Sequence, residues 1–159
     1  MNKYSFSFSG NILSRGYWLY VWKIICAKKV YYYIGRTGDS SSPNAASPFN
    51  RISNHLDSSN NAKGNSLYKA LIKEGLVPSR CNFHFSAFGP IYPEQYERTM
   101  ENHKPFRDKI AAFEFALYQA FKDKNVDVLG THVSRCRMSV EDNENFEKIL
   151  AWIQQEFKL

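Results

Sequence analysis

The chain has 159 residues, of which 43% are hydrophobic, 16% aromatic and 23% charged. This length suits a single compact domain spanning residues 1–159 and excludes a large multidomain enzyme. The composition is typical of a globular protein and excludes a fibrous or disordered chain.

The formal net charge of +6 is distributed unevenly along the chain. Residues 1–80 hold 11 basic and 3 acidic side chains, whereas residues 81–159 hold 10 basic and 12 acidic side chains. A local basic excess is typical of proteins that bind polyanions. The first half is therefore where we expect a nucleic-acid-binding surface.

The cysteines and the hydropathy indicate a cytoplasmic protein. Cys26, Cys81 and Cys136 are an odd number without a CxxC spacing, which argues against a disulfide framework and a zinc or redox site. The first residues lack an apolar signal core, and no run approaches the roughly 18 apolar residues of a membrane span. We expect no membrane partner.

The first predicted elements are two strands that form a β-hairpin. Residues 17–26 and 30–36 are dense in β-branched and aromatic side chains, and only a short Ala-Lys-Lys link separates them. The link lacks the Gly or Asn of a tight turn, which leaves its length open. Any even-numbered loop places Tyr20 and Tyr33 on the same face of the hairpin.

A loop and a first helix should follow the hairpin. Gly, Asp, Ser, Pro and Asn fill most of residues 37–46, and a Ser-Pro pair then marks the start of a helix over about 48–57. Arg51 and His55 lie four residues apart on this helix. Their side chains should therefore share one stripe.

A second helix and a third strand are predicted next. Asn65 or Ser66 can cap the second helix, which should stop at Gly75. Residues 82–89 alternate imperfectly and end at a Gly-Pro pair, which favours a strand.

Two further helices complete the predicted elements. Pro105 should begin the most strongly patterned one, and the other should close the fold over about 141–158 on an acidic background. Glu114 lies in the apolar stripe of the helix that Pro105 should begin. A carboxylate is expensive to bury unless it is paired or binds a cation, so Glu114 is either an internal ion-pair partner, for example of Arg51, or a metal ligand.

Several short motifs occur in a fixed order along residues 17–125. They are Leu19-Tyr20-Val21, Tyr33-Ile34-Gly35-Arg36-Thr37, the helical pair Arg51 and His55, and Glu114. This ordered set resembles the GIY-YIG nuclease superfamily, and its helical Arg-x-x-x-His pair is most like the restriction-endonuclease branch. The second motif is intact, whereas Leu and Val replace two residues of the first.

The resemblance implies a fold and an activity. The implied fold is α/β (α+β), with a small central three-stranded antiparallel sheet flanked by helices. The implied activity is hydrolysis of phosphodiester bonds in double-stranded DNA, with one Mg²⁺ (or Mn²⁺) per active site held by Glu114 and no organic cofactor. A carboxylate oxygen is the hard ligand that Mg²⁺ prefers, with water completing the shell.

The resemblance also implies roles for the other site residues. Tyr20 would be the general base or position the attacking water, with Tyr33 as a second phenol and Arg51 as the clamp on the scissile phosphate. His55 would hydrogen-bond the phosphate or a tyrosine, with packing or capping as the alternative. Asn125 is the nearest candidate by spacing for an Asn that these nucleases carry after the Glu.

A phenol has an ordinary pKa near 10, so a basic Tyr20 needs nearby positive charge. We expect Arg51, the metal and Arg36 to supply it.

The basic residues of the hairpin and the first two helices are candidates for DNA contact, with a solvated surface as the alternative. They are Lys28, Lys29, Arg36, Arg51, Lys63, Lys69 and Lys73. The loops at 38–47 and 57–65 could contact groove edges. A homodimer would match its two-fold axis to a palindromic site.

Two other functions stay open. One is a structure-specific or weakly specific nuclease of repair or DNA degradation. The other is a non-catalytic nucleic-acid-binding module with the same fold.

Overall fold

A four-stranded mixed sheet flanked by helices organises the fold. The computed structural model describes residues 3–134 and 136–159. The strands, in the spatial order β3-β1-β2-β4, are β1 (Gly16–Cys26), β2 (Lys29–Arg36), β3 (Cys81–Pro93) and β4 (Asp127–Val128).

Four α-helices pack around this sheet. They are α1 (Pro48–His55), α2 (Ser66–Lys73), α3 (Met100–Asp123) and α4 (Val140–Phe157), and short 3-10 turns span Gly10–Leu13 and Pro78–Arg80. Side-chain caps begin three of these helices, because the hydroxyls of Ser47, Thr99 and Ser139 each accept a backbone N–H of the first turn. Within the described ranges, no helix is both long and apolar enough to cross a bilayer.

The α+β class is as predicted, but the sheet is not purely antiparallel. β1 pairs antiparallel with β2 on one side and with β3 on the other. β4 then adds a short parallel pairing with β2 at Tyr31 and Tyr32. A two-residue strand is too short to show an alternating pattern, and the sequence therefore gave no sign of it.

The hairpin link is a tight two-residue turn despite its sequence. Ala27 and Lys28 have φ values of +50° and +69°, the left-handed conformation that both central residues of a type I′ turn require. Glycine and asparagine adopt it most readily, which is why the loop length could not be predicted. The even-numbered loop puts Trp22 opposite Tyr33, so Tyr20 and Tyr33 share a face as expected.

Several predicted boundaries were wrong by a few residues. β3 continues past the Gly-Pro pair to Pro93, and α1 ends at His55, before residue 57. α3 begins at Met100, so Pro105 lies inside the helix. Thr99 supplies the cap of α3, and Pro105, six residues further on, leaves one backbone hydrogen bond of the helix unmade.

Hydrophobic side chains fill both faces of the sheet. On one face, Leu19 and Ile34 pack with α3 and α4. On the other face, Tyr20, Trp22 and Tyr33 pack with α2 and the edge of α1. β1 is buried on both faces because it is the strand that both layers cover.

Register also brings two cysteines together that are far apart in sequence. Cys26 of β1 lies directly opposite Cys81 of β3, and both are free thiols. Burial raises the pKa of the Cys81 thiol to about 12, with Cys26 as a second cause. At neutral pH Cys81 therefore carries its proton, and its reactivity as a nucleophile is low.

The strained turn generates a stability prediction. Lys28→Gly should raise the free energy of unfolding by about 1 kcal/mol, because glycine adopts a positive φ without steric cost. The matched change Lys29→Gly, one residue on in extended β2, should lower it by about 1 kcal/mol. Urea unfolding of both variants checks this, and two changes of the same sign would contradict the turn geometry.

Candidate active site

A cleft of about 260 Å³ opens at the end of β2. Five of the six predicted catalytic residues line it, namely Tyr20, Tyr33, Arg51, His55 and Glu114, and so does Arg36, a predicted DNA-contact residue. They come from the two strands of the hairpin, from α1 and from α3. The fold thus collects most of the expected constellation in one place.

The cleft forms where the two faces of the sheet meet. Tyr20 and Tyr33 project toward α1 and α2, whereas Arg36 alternates to the other face, where α3 carries Glu114. β4 pairs with β2 at Tyr31 and Tyr32, so among the described residues no strand lies beside the last part of β2 on its outer side. Side chains from both faces can therefore reach around this edge.

Gly35 allows Tyr20 to lie across β2. The β1–β2 register pairs Tyr20 with Gly35, and a Cβ atom added at Gly35 would lie 2.5 Å from Tyr20 Cζ and Oη. Any side chain at this position would displace the phenol ring. The atoms that approach Gly35 this closely all belong to the Tyr20 side chain.

A chain of hydrogen bonds joins the two phenols. Tyr20 Oη lies 2.6 Å from His55 Nε2, and His55 Nδ1 lies 3.0 Å from Ser66 Oγ. Ser66 Oγ lies 2.7 Å from Tyr33 Oη. Of the two alternatives for His55, the structure has it bonded to the site tyrosine.

The imidazole in this chain is neutral. Burial, reinforced by the charge of Arg51, lowers the pKa of His55 to about 4. One ring nitrogen must then donate and the other must accept. Either Tyr20 donates to Nε2 while Nδ1 donates to Ser66, or Ser66 donates to Nδ1 while Nε2 donates to Tyr20. The two arrangements are related by moving one proton along each hydrogen bond of the chain. The chain can therefore relay a proton that is taken up at Tyr20 and released at Tyr33.

Neither phenol is ionised in this state. Burial raises the pKa of Tyr20 well above 10, with Tyr33 as a second cause, and burial raises the pKa of Tyr33 as well. Arg51 and Arg36 act in the lowering direction on Tyr20, as expected, but burial outweighs them. A free phenolate at Tyr20 is thus not available, and a proton that reaches its oxygen must pass onward.

Arg51 forms an ion pair inside the cleft. Its Nη2 donates to Asp39 Oδ1 in a very short hydrogen bond, while its Nε is buried with no partner among residues 3–134 and 136–159. Ser42 donates to the other oxygen of Asp39, and His103 Nε2 lies 2.8 Å from the Asp39 carbonyl oxygen. Asp39 is therefore held firmly against the guanidinium.

Glu114 is held from two sides. Arg36 Nε donates to its Oε2 at 3.1 Å, and His132 Nδ1 lies 3.4 Å from its Oε1. The partner suggested from sequence, Arg51, is paired with Asp39 instead. The Glu114 side chain is 20% exposed and faces the cleft, so the carboxylate is both oriented and accessible.

The cleft offers carboxylate oxygens from Asp39 and Glu114, and carboxylate oxygens are ligands that Mg²⁺ accepts. In the part of the chain that the structure describes, no group of three or more His, Cys, Asp or Glu side chains is arranged to hold a metal. Mg²⁺ is commonly bound by one or two carboxylates, with waters and substrate phosphate completing the shell. Each Glu114 oxygen can accept more than one contact, so the carboxylate can hold such an ion.

Other predicted residues lie outside this cleft. Asn125 is exposed and follows the end of α3 with φ +55°, a conformation in which Asn often terminates a helix. Lys29 pairs with Asp127, and its seven residue steps from Arg36 along β2 correspond to about 23 Å. Lys28 lies in the adjoining turn, far from the cleft.

The remaining basic candidates lie on the α1–α2 side. Lys63 precedes Gly64, which lines the cleft, and is exposed. Lys69 and Lys73 are exposed on α2. These three lysines are free to contact a ligand that extends beyond the cleft on this side.

Three contributing residues were missed by the sequence interpretation. Ser66 was expected only as a helix cap, and nothing in the loop composition singled out Asp39. His132 lies beyond α3 in a stretch without periodicity. The contact between Ser66 and His55 depends on how α1 and α2 pack, so their spacing along the chain could not have revealed it.

Comparison of the chain with protein-family models, with curated proteins and with solved structures finds no match. The residues of the cleft and their geometry are therefore the basis for inferring a function.

The buried His55 generates a pH prediction. The pKa of His55 is about 4 in the folded protein and 6.5 in the reference state. Between these pH values the imidazole is protonated in the unfolded chain but not in the folded one. The free energy of unfolding therefore falls as the pH falls through this window. From pH 7 to pH 5 the wild type should lose about 2 kcal/mol more than His55→Gln.

Urea unfolding at the two pH values measures this difference. His84→Gln is the control, because His84 is exposed on β3. Equal losses in wild type and His55→Gln would contradict a buried neutral His55.

Proposed function

We propose that this protein is a Mg²⁺-dependent endonuclease that hydrolyses phosphodiester bonds of double-stranded DNA, with a GIY-YIG-like active site. The observation that carries the proposal is the convergence of Tyr20, Tyr33, Arg51, His55 and Glu114 in one cleft. Each supplies a function that phosphodiester hydrolysis needs: proton transfer, phosphate binding or cation binding.

The hydrogen-bonded chain supports activation of a water by proton relay. A water placed at Tyr20 Oη gives its proton to the phenol oxygen while Tyr20 passes its own proton to His55 Nε2. His55 passes its Nδ1 proton to Ser66 Oγ, Ser66 passes its own proton to Tyr33 Oη, and the Tyr33 proton leaves to solvent in the cleft that Tyr33 lines. This route accounts for a Tyr20 whose pKa is raised, because no free phenolate has to form.

Arg51 is suited to binding the scissile phosphate. The guanidinium presents Nε and Nη2 as a planar fork that matches two phosphate oxygens. Nε is buried and has no partner within the described ranges, and Nη2 is held by Asp39. A phosphate that takes the place of Asp39 would satisfy both donors, so the ion pair keeps the fork in position for substrate.

Glu114 is the residue that would hold the metal. Glu114 would thereby supply the site with a positive charge that neutralises charge developing on the phosphoryl oxygens. Arg36 and His132 fix the direction of the carboxylate, and their contacts leave it facing the cleft.

The DNA-binding surface would extend from the cleft over α2. Lys63, Lys69 and Lys73 are exposed on this side, and Ser40 of the 38–47 loop lines the cleft.

Sequence specificity would come from the loops or from a homodimer on a palindromic site. The ends of the DNA products distinguish the restriction-type enzyme, which leaves defined ends, from a structure-specific or weakly specific nuclease.

Cleavage of supercoiled plasmid with Mg²⁺ or with EDTA tests the function. Glu114→Ala and Tyr20→Phe should each lower the cleavage rate by about 10²-fold or more, because each removes a group that acts on the reacting phosphate or water. Glu147→Ala and Tyr96→Phe are matched controls at exposed positions and should cleave like the wild type.

Activity of Glu114→Ala equal to that of the wild type would show the mechanism to be wrong. DNA binding without any cleavage by the wild type would favour the non-catalytic module.

Asp39 generates a second prediction for binding. Asp39→Asn should bind duplex DNA several-fold more tightly in Ca²⁺ buffer, since the carboxylate that competes with phosphate for Arg51 is removed. Asp123→Asn removes the same charge at an exposed position and serves as the control for net charge. Fluorescence anisotropy measures the affinities, and weaker binding by Asp39→Asn would contradict the competition.

A further inference from the structure

The segment after β4 delivers a histidine to the cleft carboxylate. β4 runs parallel to β2 and ends at Val128, and Leu129 N still donates to Tyr32 O at 2.7 Å. The chain therefore continues in the direction in which β2 leads toward Arg36. Gly130, at φ +81°, turns the backbone, and His132 follows with its Nδ1 3.4 Å from Glu114 Oε1.

His132 is fixed in a defined orientation. Its side chain is 9% exposed, and its ring lies between Tyr118 and Tyr33, with centroid distances of 5.0 and 6.1 Å. Its Nε2 is buried and has no hydrogen-bond partner in the described parts of the chain. Packing alone does not explain a polar ring here, because an apolar side chain would fill the same space without burying an unsatisfied nitrogen.

The ring approaches the carboxylate through Nδ1. This nitrogen lies 3.4 Å from Glu114 Oε1, and Arg36 Nε donates to the other oxygen, Oε2, at 3.1 Å. Basic side chains from two separate parts of the chain thus contact the two oxygens of the carboxylate.

We propose that His132 is the positioning residue that orients the Glu114 carboxylate for divalent-metal binding. This inference rests on the metal role of Glu114 in the proposed function. Groups that hydrogen-bond a ligating carboxylate commonly contribute about 10- to 100-fold to metal affinity. His132 acts through Glu114 and is not itself assigned to contact the substrate.

The test is Mn²⁺ binding to the full chain, measured by isothermal titration calorimetry together with the thermal melt of each variant. His132→Leu fills the ring volume without a donor and should weaken Mn²⁺ binding about 10- to 100-fold. His132→Asn places an amide N–H near the position of Nδ1 and should restore affinity to within a few-fold of the wild type. His84→Ala, at an exposed histidine on β3, is the control and should bind normally.

The outcomes separate this inference from the proposed function. If folded His132→Leu binds Mn²⁺ as tightly as the wild type, or if folded His132→Asn binds as weakly as His132→Leu, the positioning role is overturned. If Mn²⁺ affinity follows the expected order but no protein cleaves DNA, the positioning role stands and the nuclease function fails. A wild type that binds no Mn²⁺ overturns both.

Discussion

The register of the β1–β2 hairpin determines where the two phenols of the cleft lie. It pairs Tyr20 with Gly35, so the phenol ring can lie across a residue that has no side chain. From that position Tyr20 meets His55 of α1 at 2.6 Å. A shift of the register by one residue would turn Tyr20 to the opposite face, where α3 and α4 pack.

The charged side chains of the cleft are balanced inside the protein. Arg51 pairs with Asp39, and Glu114 is contacted by Arg36 and His132. Such pairing lowers the cost of holding charges in a partly buried site, because each desolvated group keeps an opposite charge nearby. Under the proposed function, substrate phosphate and metal enter by exchanging with these internal partners, so the groups stay in place without their ligands.

The open edge of β2 explains how residues from both faces reach one cleft. A full-length fourth strand would cover the end of β2 and separate Glu114 from Tyr20. Because β4 contains only Asp127 and Val128, the chain that follows it is free to bring His132 to the carboxylate. The two-residue length of β4 thus leaves room for His132 beside Glu114.

Much of the local structure and most of the site could be predicted from the sequence. Strand patterns predicted the hairpin, a Ser-Pro pair marked α1, and the four-residue spacing of Arg51 and His55 put both on one stripe. These signals are local, because they depend on side-chain periodicity and capping chemistry. The parity of the hairpin loop was enough to put Tyr20 and Tyr33 on the same face.

What the sequence determined by itself was therefore which elements form, apart from β4, and which faces they bury. The tertiary structure alone decided the partners: Asp39 for Arg51, Ser66 between His55 and Tyr33, and Arg36 with His132 for Glu114. It also placed Asn125, Lys28 and Lys29 away from the cleft. The physical reason is that hydrogen bonds and ion pairs act over a few ångströms in space, and no spacing along the chain records how helices and strands pack around an open sheet edge.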